Sequence, residues 1–459
     1  MAGDPARALT GVSTDTRTLA PDQLFVALSG PNFDGNRFAP AAAAAGAGAL
    51  LLARLPEGWT PPAGLGLLVH PDPRRALGDL GAWYRSTLSA TVVGVTGSSG
   101  KTTTKNILHA LCAPHHAVVS SPSSFNNDIG VPLTLLSAPA ESEVLVVEIG
   151  TNHPGEIAAL CRIARPTLGV ITNVGASHLE GLGSVAGVAE EKGALAAALP
   201  REGLCVLAAG GRFRGVLAAR TGARVLTHSV EGQGDARGDL DASGLLFHPG
   251  GTTFRLSGLG LEGHEVTSPL LGTHNVENLL AALCAAHGLG LALPDVLPAV
   301  SDLRPARSRM ERRDLAGLTL FDDCYNANPQ SARAAARCLA GMHGHRRRVL
   351  VLGDMLELGE RSAELHHELG LELGRGAQDL DALVLVGTLV KATAAGALEA
   401  GFRPEALTHL ASTEEAAHAI VELVGPGDVV LVKASRGMAL ERVVGALEAR
   451  FAPPTAARA

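Results

Sequence analysis

Thr96-Gly-Ser-Ser-Gly-Lys-Thr-Thr-Thr104 is the segment of this 459-residue chain whose residue types and spacing most directly imply chemistry. It follows an apolar run at 91–95 that reads as a strand, and a helix is expected from Lys101. A strand, a glycine-rich turn and a helix start gather backbone N–H groups around one anion. There Lys101 neutralises phosphate charge and the Thr102 hydroxyl ligates Mg2+. Thr96, Gly97, Ser98, Ser99, Gly100 and Thr103 complete the phosphate-binding candidates. The pattern is the short G-x-x-G-K-T, because position 95 is valine where the longer phosphate loop has its first glycine. An ordinary βα turn accounts for the glycines but not for a lysine and three threonines beside them.

Other candidates lie downstream. Glu148 falls within the apolar run 144–149, which puts a carboxylate at the C-terminal end of a buried strand. Ligands bind at that edge in α/β sheets, so a metal role is expected for it. His178 lies just past the run 168–173, where a lone histidine could be a polar contact or a ligand. Lys192, in Glu190-Glu-Lys-Gly193, reads by itself as part of a solvated helix face.

The elements that must position these residues alternate along the chain. Short strands and turns occupy 1–86, with strands at 22–28 and 50–52 and a helix at 39–49. From 91 onward, strands at 91–95, 144–149, 168–173 and 204–208 alternate with longer helical segments, the mark of a parallel sheet covered on both faces. A Gly- and Thr-rich stretch at about 237–271 reads as a β-rich insertion. The charged, Pro-containing segment 303–308 reads as a hinge. Strands at 318–322, 348–352, 383–386 and 429–433 then begin a second βα series. The expectation is an α/β protein of three domains. A small α/β domain spans 1–86, a central P-loop-type, mostly parallel sheet 87–308, and a Rossmann-like doubly wound domain 309–459.

Composition narrows the function. The net charge is −7 and only 3% of residues are aromatic, which argues against a nucleic-acid platform or an anionic-membrane surface. The six cysteines never approach C-x-x-C spacing, so buried, reduced thiols are expected rather than a zinc site or disulfide frame. No apolar run reaches the roughly 20 residues of a membrane helix, and no signal-peptide pattern is visible, so a cytoplasmic protein is expected.

Taken in order, the motifs resemble those of the Mur ligases along nearly the whole chain. They are Asp15-Thr-Arg17, Phe33-Asp-Gly35, Gly97-Ser-Ser-Gly-Lys-Thr102, Asn126-Asn-Asp-Ile-Gly130, Glu148-Ile-Gly-Thr-Asn-His-Pro-Gly-Glu156 and His178-Leu-Glu-Gly-Leu-Gly183. Later come His274-Asn-Val-Glu-Asn278, Asp322-Asp-Cys-Tyr-Asn-Ala-Asn-Pro329, Leu352-Gly-Asp-Met-Leu-Glu-Leu-Gly359 and Lys433-Ala-Ser-Arg436. The strings at 322–329 and 352–359 resemble the branch of the family that adds D-alanyl-D-alanine.

The resemblance implies an ATP- and Mg2+-dependent amide ligase of peptidoglycan synthesis, serving cell shape and division. Its substrates would be UDP-N-acetylmuramoyl-tripeptide and D-alanyl-D-alanine, and a monomer is expected. Thr102 and Glu148 would hold one Mg2+, with His178 and a carbamylated Lys192 supporting a second. Asn275 and Asn278 would lie beside adenine, Arg309 would meet the nucleotide from the hinge, and Asp322 or Asp323 would face the ribose. Asp15, Arg17, Asp34 and Gly35 belong to the part implied to hold the uridine nucleotide. Asn126, Asn127, Asn326, Asn328, Lys433, Ser435 and Arg436 are further implied substrate contacts.

Four positions depart from the family's usual residues: Ala194 for Glu, Asn36 for His, Cys324 for Ser and Ala434 for Gly. Ala434 would restrict the 433–436 turn if that turn needed a positive φ. Two other readings compete: another Mur-type amino-acid-adding or folylpolyglutamate ligase, and a P-loop nucleotide switch. The Asp-Asn-Pro-Arg motif of the diaminopimelate-adding relatives does not occur in the sequence.

Overall fold

The computed structural model describes residues 4, 6–232, 236–248, 250–376 and 379–452. Its first sheet is parallel, in the order β1-β2-β5-β6: β1 Val12–Ser13, β2 Leu24–Val26, β5 Ala49–Leu52 and β6 Gly66–Val69. A hairpin, β3 Ser29–Gly30 with β4 Phe33–Asp34, lies between β2 and β5 in sequence. The helix at Pro73–Thr87 starts on an Asp72 side-chain cap and a proline. It buries Leu77 against Leu24, Val26, Ala49 and Leu51.

The central sheet has nine strands. Seven are parallel, running β8 Val118–Ser120, β9 Val144–Glu148, β7 Thr91–Thr96, β10 Leu168–Ile171, β11 Leu204–Ala208, β12 Arg224–Val230 and β13 Leu240–His248 across the sheet. Two antiparallel strands, β14 Gly251–Ser257 and β15 His264–Ser268, extend it. The β-rich stretch expected at 237–271 completes the central sheet by extending it at one edge.

Alternation along the strands divides the core. Val93, Val95, Val146 and Val170 pack under the helices Lys101–Cys112 and Thr273–Gly288. Val92, Leu145, Val147 and Ile171 pack under Gly130–Leu136, Glu156–Ala164 and Val185–Ala198. With both faces covered, the strands need no polar alternation, which is why they stand out as apolar runs.

The third sheet runs β16-β17-β21-β18-β19-β20, with β16 Glu311–Asp314 antiparallel and the rest parallel. Those are β17 Thr319–Asp323, β18 Arg348–Gly353, β19 Ala382–Val386, β20 Leu407–Leu410 and β21 Val429–Lys433. Leu350, Leu352, Leu383 and Leu431 share one cluster with Leu179, Leu182, Val188 and Leu271 of the central segment. The two sheets are thus joined through apolar side chains.

The strands at 204–208 and 429–433 have the expected bounds, and others shift by a residue or two. The helix expected at 39–49 covers only Ala39–Ala44, since Gly46 has φ 89 and Ala49 already belongs to β5. Ala434 is not among the residues with positive φ, so it does not restrict the 433–436 turn. All six cysteines are free and buried. Among the described residues no helix is long and apolar enough to cross a membrane.

Candidate active site

Strand order builds the site. β7 lies between β9 and β10, with Val95 opposite Glu148 and Thr96 opposite Ile171. The segments leaving all three strands therefore open on one edge of the sheet. After β7, Gly97 and Gly100 take φ 152 and 81. A Cβ at Gly97 would overlap Thr172 Oγ1, and one at Gly100 would overlap Asn278 Oδ1. The turn is held from β10, where Asn173 Oδ1 accepts Ser99 N–H at 3.0 Å and Thr172 Oγ1 donates to Ser99 O at 2.6 Å. Gly100 caps the helix Lys101–Cys112 without a side-chain hydrogen bond. The first-turn N–H groups, which have no intrahelical acceptor, are left for an anion.

Cations concentrate there despite the acidic chain. Lys101 Nζ donates to Gly97 O at 2.8 Å. Burial lowers the pKa of Lys101 and of Lys105, while Glu148 opposes the shift in each. Thr102 Oγ1 donates to Glu148 Oε2 at 2.8 Å and accepts from Arg309 Nη2 at 3.0 Å. Asn126 Nδ2 holds the other carboxylate oxygen at 2.7 Å. Arg309 also stacks on Tyr325, with Cζ 4.1 Å from the ring centroid. A hydroxyl and a carboxylate oxygen at this spacing are the hard donors Mg2+ takes, so these residues fit that ion. Among the described residues no cluster of three or more His, Cys, Asp or Glu could hold a metal. The fit therefore rests on this mixed pair together with phosphate oxygens.

A cavity of about 970 Å³ opens over the turn. It is lined by Ser98, Ser99, Gly100, Lys101, Thr102, Thr103, Asn126, Asn127, Glu148, His178, Asn275, Asn278 and Arg309. From the third sheet it takes Asp323, Asn326, Asn328, Lys433, Ser435 and Arg436. Lys433 Nζ bonds Asp323 Oδ2 at 2.7 Å, and Asn328 Nδ2 reaches Ser98 O at 3.4 Å. His178 Nδ1 lies 2.7 Å from Glu357 Oε2 across the junction between the two sheets.

Several expected residues lie elsewhere. Thr96, the last residue of β7, and Gly97, in the turn itself, do not line the cavity. Of the two ribose-side alternatives, Asp323 lines the cavity. Asp322 is buried, accepting from Ser308 Oγ at 2.9 Å and Arg313 Nη2 at 2.7 Å. Lys192 is not a solvated face: it is 1% exposed and does not line the cavity. Burial, reinforced by Lys101, pushes its amine well below the usual lysine range. Its neighbour Glu191 explains the inward turn, accepting Gly155 N–H and Ile157 N–H at 2.7 Å each.

Asp15, Arg17, Asp34 and Gly35 also lie outside the cavity, in the first domain. Asp15 pairs with Arg17 at 2.6 Å, and Asp34 with Arg54 at 2.6 Å. Asn36 Nδ2 bonds Asp34 at 2.6 Å and Asn36 Oδ1 accepts Ala53 N–H at 2.8 Å, so the departure at 36 has a structural role.

Ser124, Asn173, Tyr325, Glu277 and the Arg74–Asp128 pair line the cavity without having been singled out from the sequence. Asn173 could have been found, since it directly follows an apolar run. Tyr325 could have been found too, inside the motif at 322–329, whereas Ser124 carries no comparable signal.

Comparison with known proteins agrees with this geometry. Residues 95–286 match the Mur ligase middle domain and 308–436 the Mur ligase, glutamate ligase domain. UDP-N-acetylmuramoyl-tripeptide–D-alanyl-D-alanine ligase of Bacillus subtilis is 36% identical over 436 residues, 95% of this chain and 92% of that one. The crystal structure of MurF from Acinetobacter baumannii superposes with a TM-score of 0.85 at 31% identity, covering 96% of this chain and 94% of that one. MurF of Thermotoga maritima in complex with ADP gives 0.81 at 28% identity, covering 96% and 97%. The chain belongs to the Mur ligase family.

Proposed function

We propose that this chain uses ATP to join D-alanyl-D-alanine to the peptide carboxylate of UDP-N-acetylmuramoyl-tripeptide, through an acyl phosphate. The observation that carries this reading is Thr102 hydrogen-bonded to Glu148 beside Lys101, with Arg309 reaching in from the hinge. It is a phosphate-transfer site with a second sheet closed over it.

The physical obstacle is bringing a carboxylate up to an anionic phosphate. At 4 Å and an effective dielectric of about 20, each unit charge pair opposes approach by about 4 kcal/mol. Lys101, the first-turn N–H groups and Arg309 are fixed before the substrates arrive, so their field costs no reorganisation during reaction. Bound Mg2+ would supply further charge neutralisation between phosphate oxygens, held by Thr102 and Glu148. The carboxylate oxygen then forms a bond to the γ-phosphorus as ADP leaves. The amine of the dipeptide attacks the acyl carbon, loses a proton and expels phosphate. Lys433 and Asn328, brought over the turn by the third sheet, shield that carbon from water.

The division of labour follows the three sheets. Residues 1–86 would hold the uridine nucleotide, 87–308 ATP, and 309–459 the incoming dipeptide, in a monomeric cytoplasmic enzyme. A finer proposal concerns Lys192, whose amine is shifted by burial well below the usual lysine range, the direction that favours uptake of CO2 as a carbamate. Its anionic oxygens would support a second Mg2+ with His178. Under that reading Lys192→Ala loses activity that small added carboxylates partly restore; turnover near wild type would remove the role.

The function itself is tested by product formation with ATP, the tripeptide nucleotide and D-alanyl-D-alanine, each withheld in turn. Amide product is expected only with all three present. ATP hydrolysis stimulated by a macromolecule, with no product, would favour the nucleotide switch.

A further inference from the structure

Beyond the phosphate turn, the cavity lining draws on two groups of residues from different elements. One comprises Arg74, Asn127, Asp128, Glu156 and the apolar face of Glu156–Ala164. The other comprises Phe247, His274, Glu277, Arg337 and Cys338, on the helices Thr273–Gly288 and Pro329–Ala340 and at the end of β13. The second group adjoins the turn through Asn278, whose Oδ1 fills the space over Gly100. A nucleotide with its phosphates on Lys101 and Thr102 would direct its base there.

In that wall Glu277 is unusual. Among the described residues its carboxyl has no hydrogen-bond or ion-pair partner, although it lines the cavity with two arginines on the facing helix. One of them, Arg333, is tied to Glu372 at 2.7 Å. A carboxylate that lines a cavity with no donor from the protein is free to accept one from a ligand. The base of ATP offers its exocyclic 6-amine as a donor, whereas a 6-oxo purine presents an acceptor at that position and carries its donor on the neighbouring ring N1–H. Resting on the ATP-dependent reading above, we infer that Glu277 selects a 6-amino purine by accepting from its amine and repelling a 6-oxo group.

Burial raises the Glu277 carboxyl to about 7. Above that pH it is ionised and can only accept. Below it the acid O–H can donate to a 6-oxo oxygen, so discrimination weakens as pH falls. Two neighbours in the wall are shifted away from this range. His274 on the same helix is lowered to about 4 by burial, and Cys338 on the facing helix is raised to about 12. Asp323, which acts on His274, is paired with Lys433 at 2.7 Å. Titration of the phosphates is common to both nucleotides and cancels in a ratio.

The test is the ratio of kcat/KM for ATP over ITP, measured from pH 6 to 8.5 in the full-length enzyme and in Glu277→Gln. At pH 8 the wild-type ratio should be about tenfold or more, expressed in KM. It should fall below pH 7. In Glu277→Gln, whose amide can meet either base, it should approach unity and stay flat with pH. A variant keeping the wild-type ratio would overturn the assignment. A pH-independent wild-type ratio would do so too, even if the variant failed to fold. Absence of ligation with either nucleotide would instead overturn the ligase reading beneath it.

Discussion

The central and C-terminal sheets both end strands in turns that lead to helices, yet they treat the start of a helix in opposite ways. After β7 the helix begins on Gly100 with no capping side chain, and the lysine beside it faces the cavity. In the C-terminal sheet, Asp354 follows β18 and reaches across to the start of the helix Val390–Glu399. Its carboxylate accepts Val390 N–H at 2.9 Å and Thr388 N–H at 3.1 Å. That anion site is filled from within. At the central turn the chain withholds its own acceptor and adds a cation, which is what the proposed phosphate site requires. Topology alone does not mark function.

The largest effect should come from removing the cation on the open side. Lys101→Ala is expected to cut kcat/KM by about a thousandfold or more, because a preorganised charge at the transferring phosphate is lost. Steady-state ligation kinetics check this. A loss below tenfold would mean that the turn is not the catalytic phosphate site.

A smaller effect of a different kind is expected on the filled side. Asp354→Ala should leave two N–H groups without their acceptor and lower stability by about 1–3 kcal/mol, read as earlier denaturant unfolding of the C-terminal sheet. Its kcat/KM should fall far less than in Lys101→Ala. An equal loss of activity, with unchanged unfolding, would erase the contrast between the two turns.

Much of this contrast was legible in the sequence. The strands β7, β9, β11 and β21 were visible because both faces of their sheets are covered, which leaves unbroken apolar runs. The pairing of Thr102 with Glu148 was foreshadowed by a phosphate-loop pattern and a carboxylate near the end of an apolar run. β8, with three residues, and β12, which alternates through Thr227, His228 and Ser229, gave no such run.

Lys192 misleads because Glu190-Glu-Lys looks solvated in one dimension. Its burial depends on Glu191 capping backbone N–H groups in the 155–157 segment. Ser124 reaches the site from a loop placed by tertiary packing, which no local pattern encodes, while Tyr325 lay within the motif at 322–329 without its contact to Arg309 being legible. The resemblance to a family named both Asp322 and Asp323, and only packing against Ser308 and Arg313 separates them.

The central claim is that this chain activates a carboxylate before an amine arrives. The most direct measurement gives the enzyme ATP, Mg2+ and UDP-N-acetylmuramoyl-tripeptide, with hydroxylamine in place of D-alanyl-D-alanine. A tripeptide hydroxamate is expected, formed with ADP and phosphate and lost in Lys101→Ala. ADP formation without any hydroxamate, in an enzyme that ligates the dipeptide normally, would contradict it.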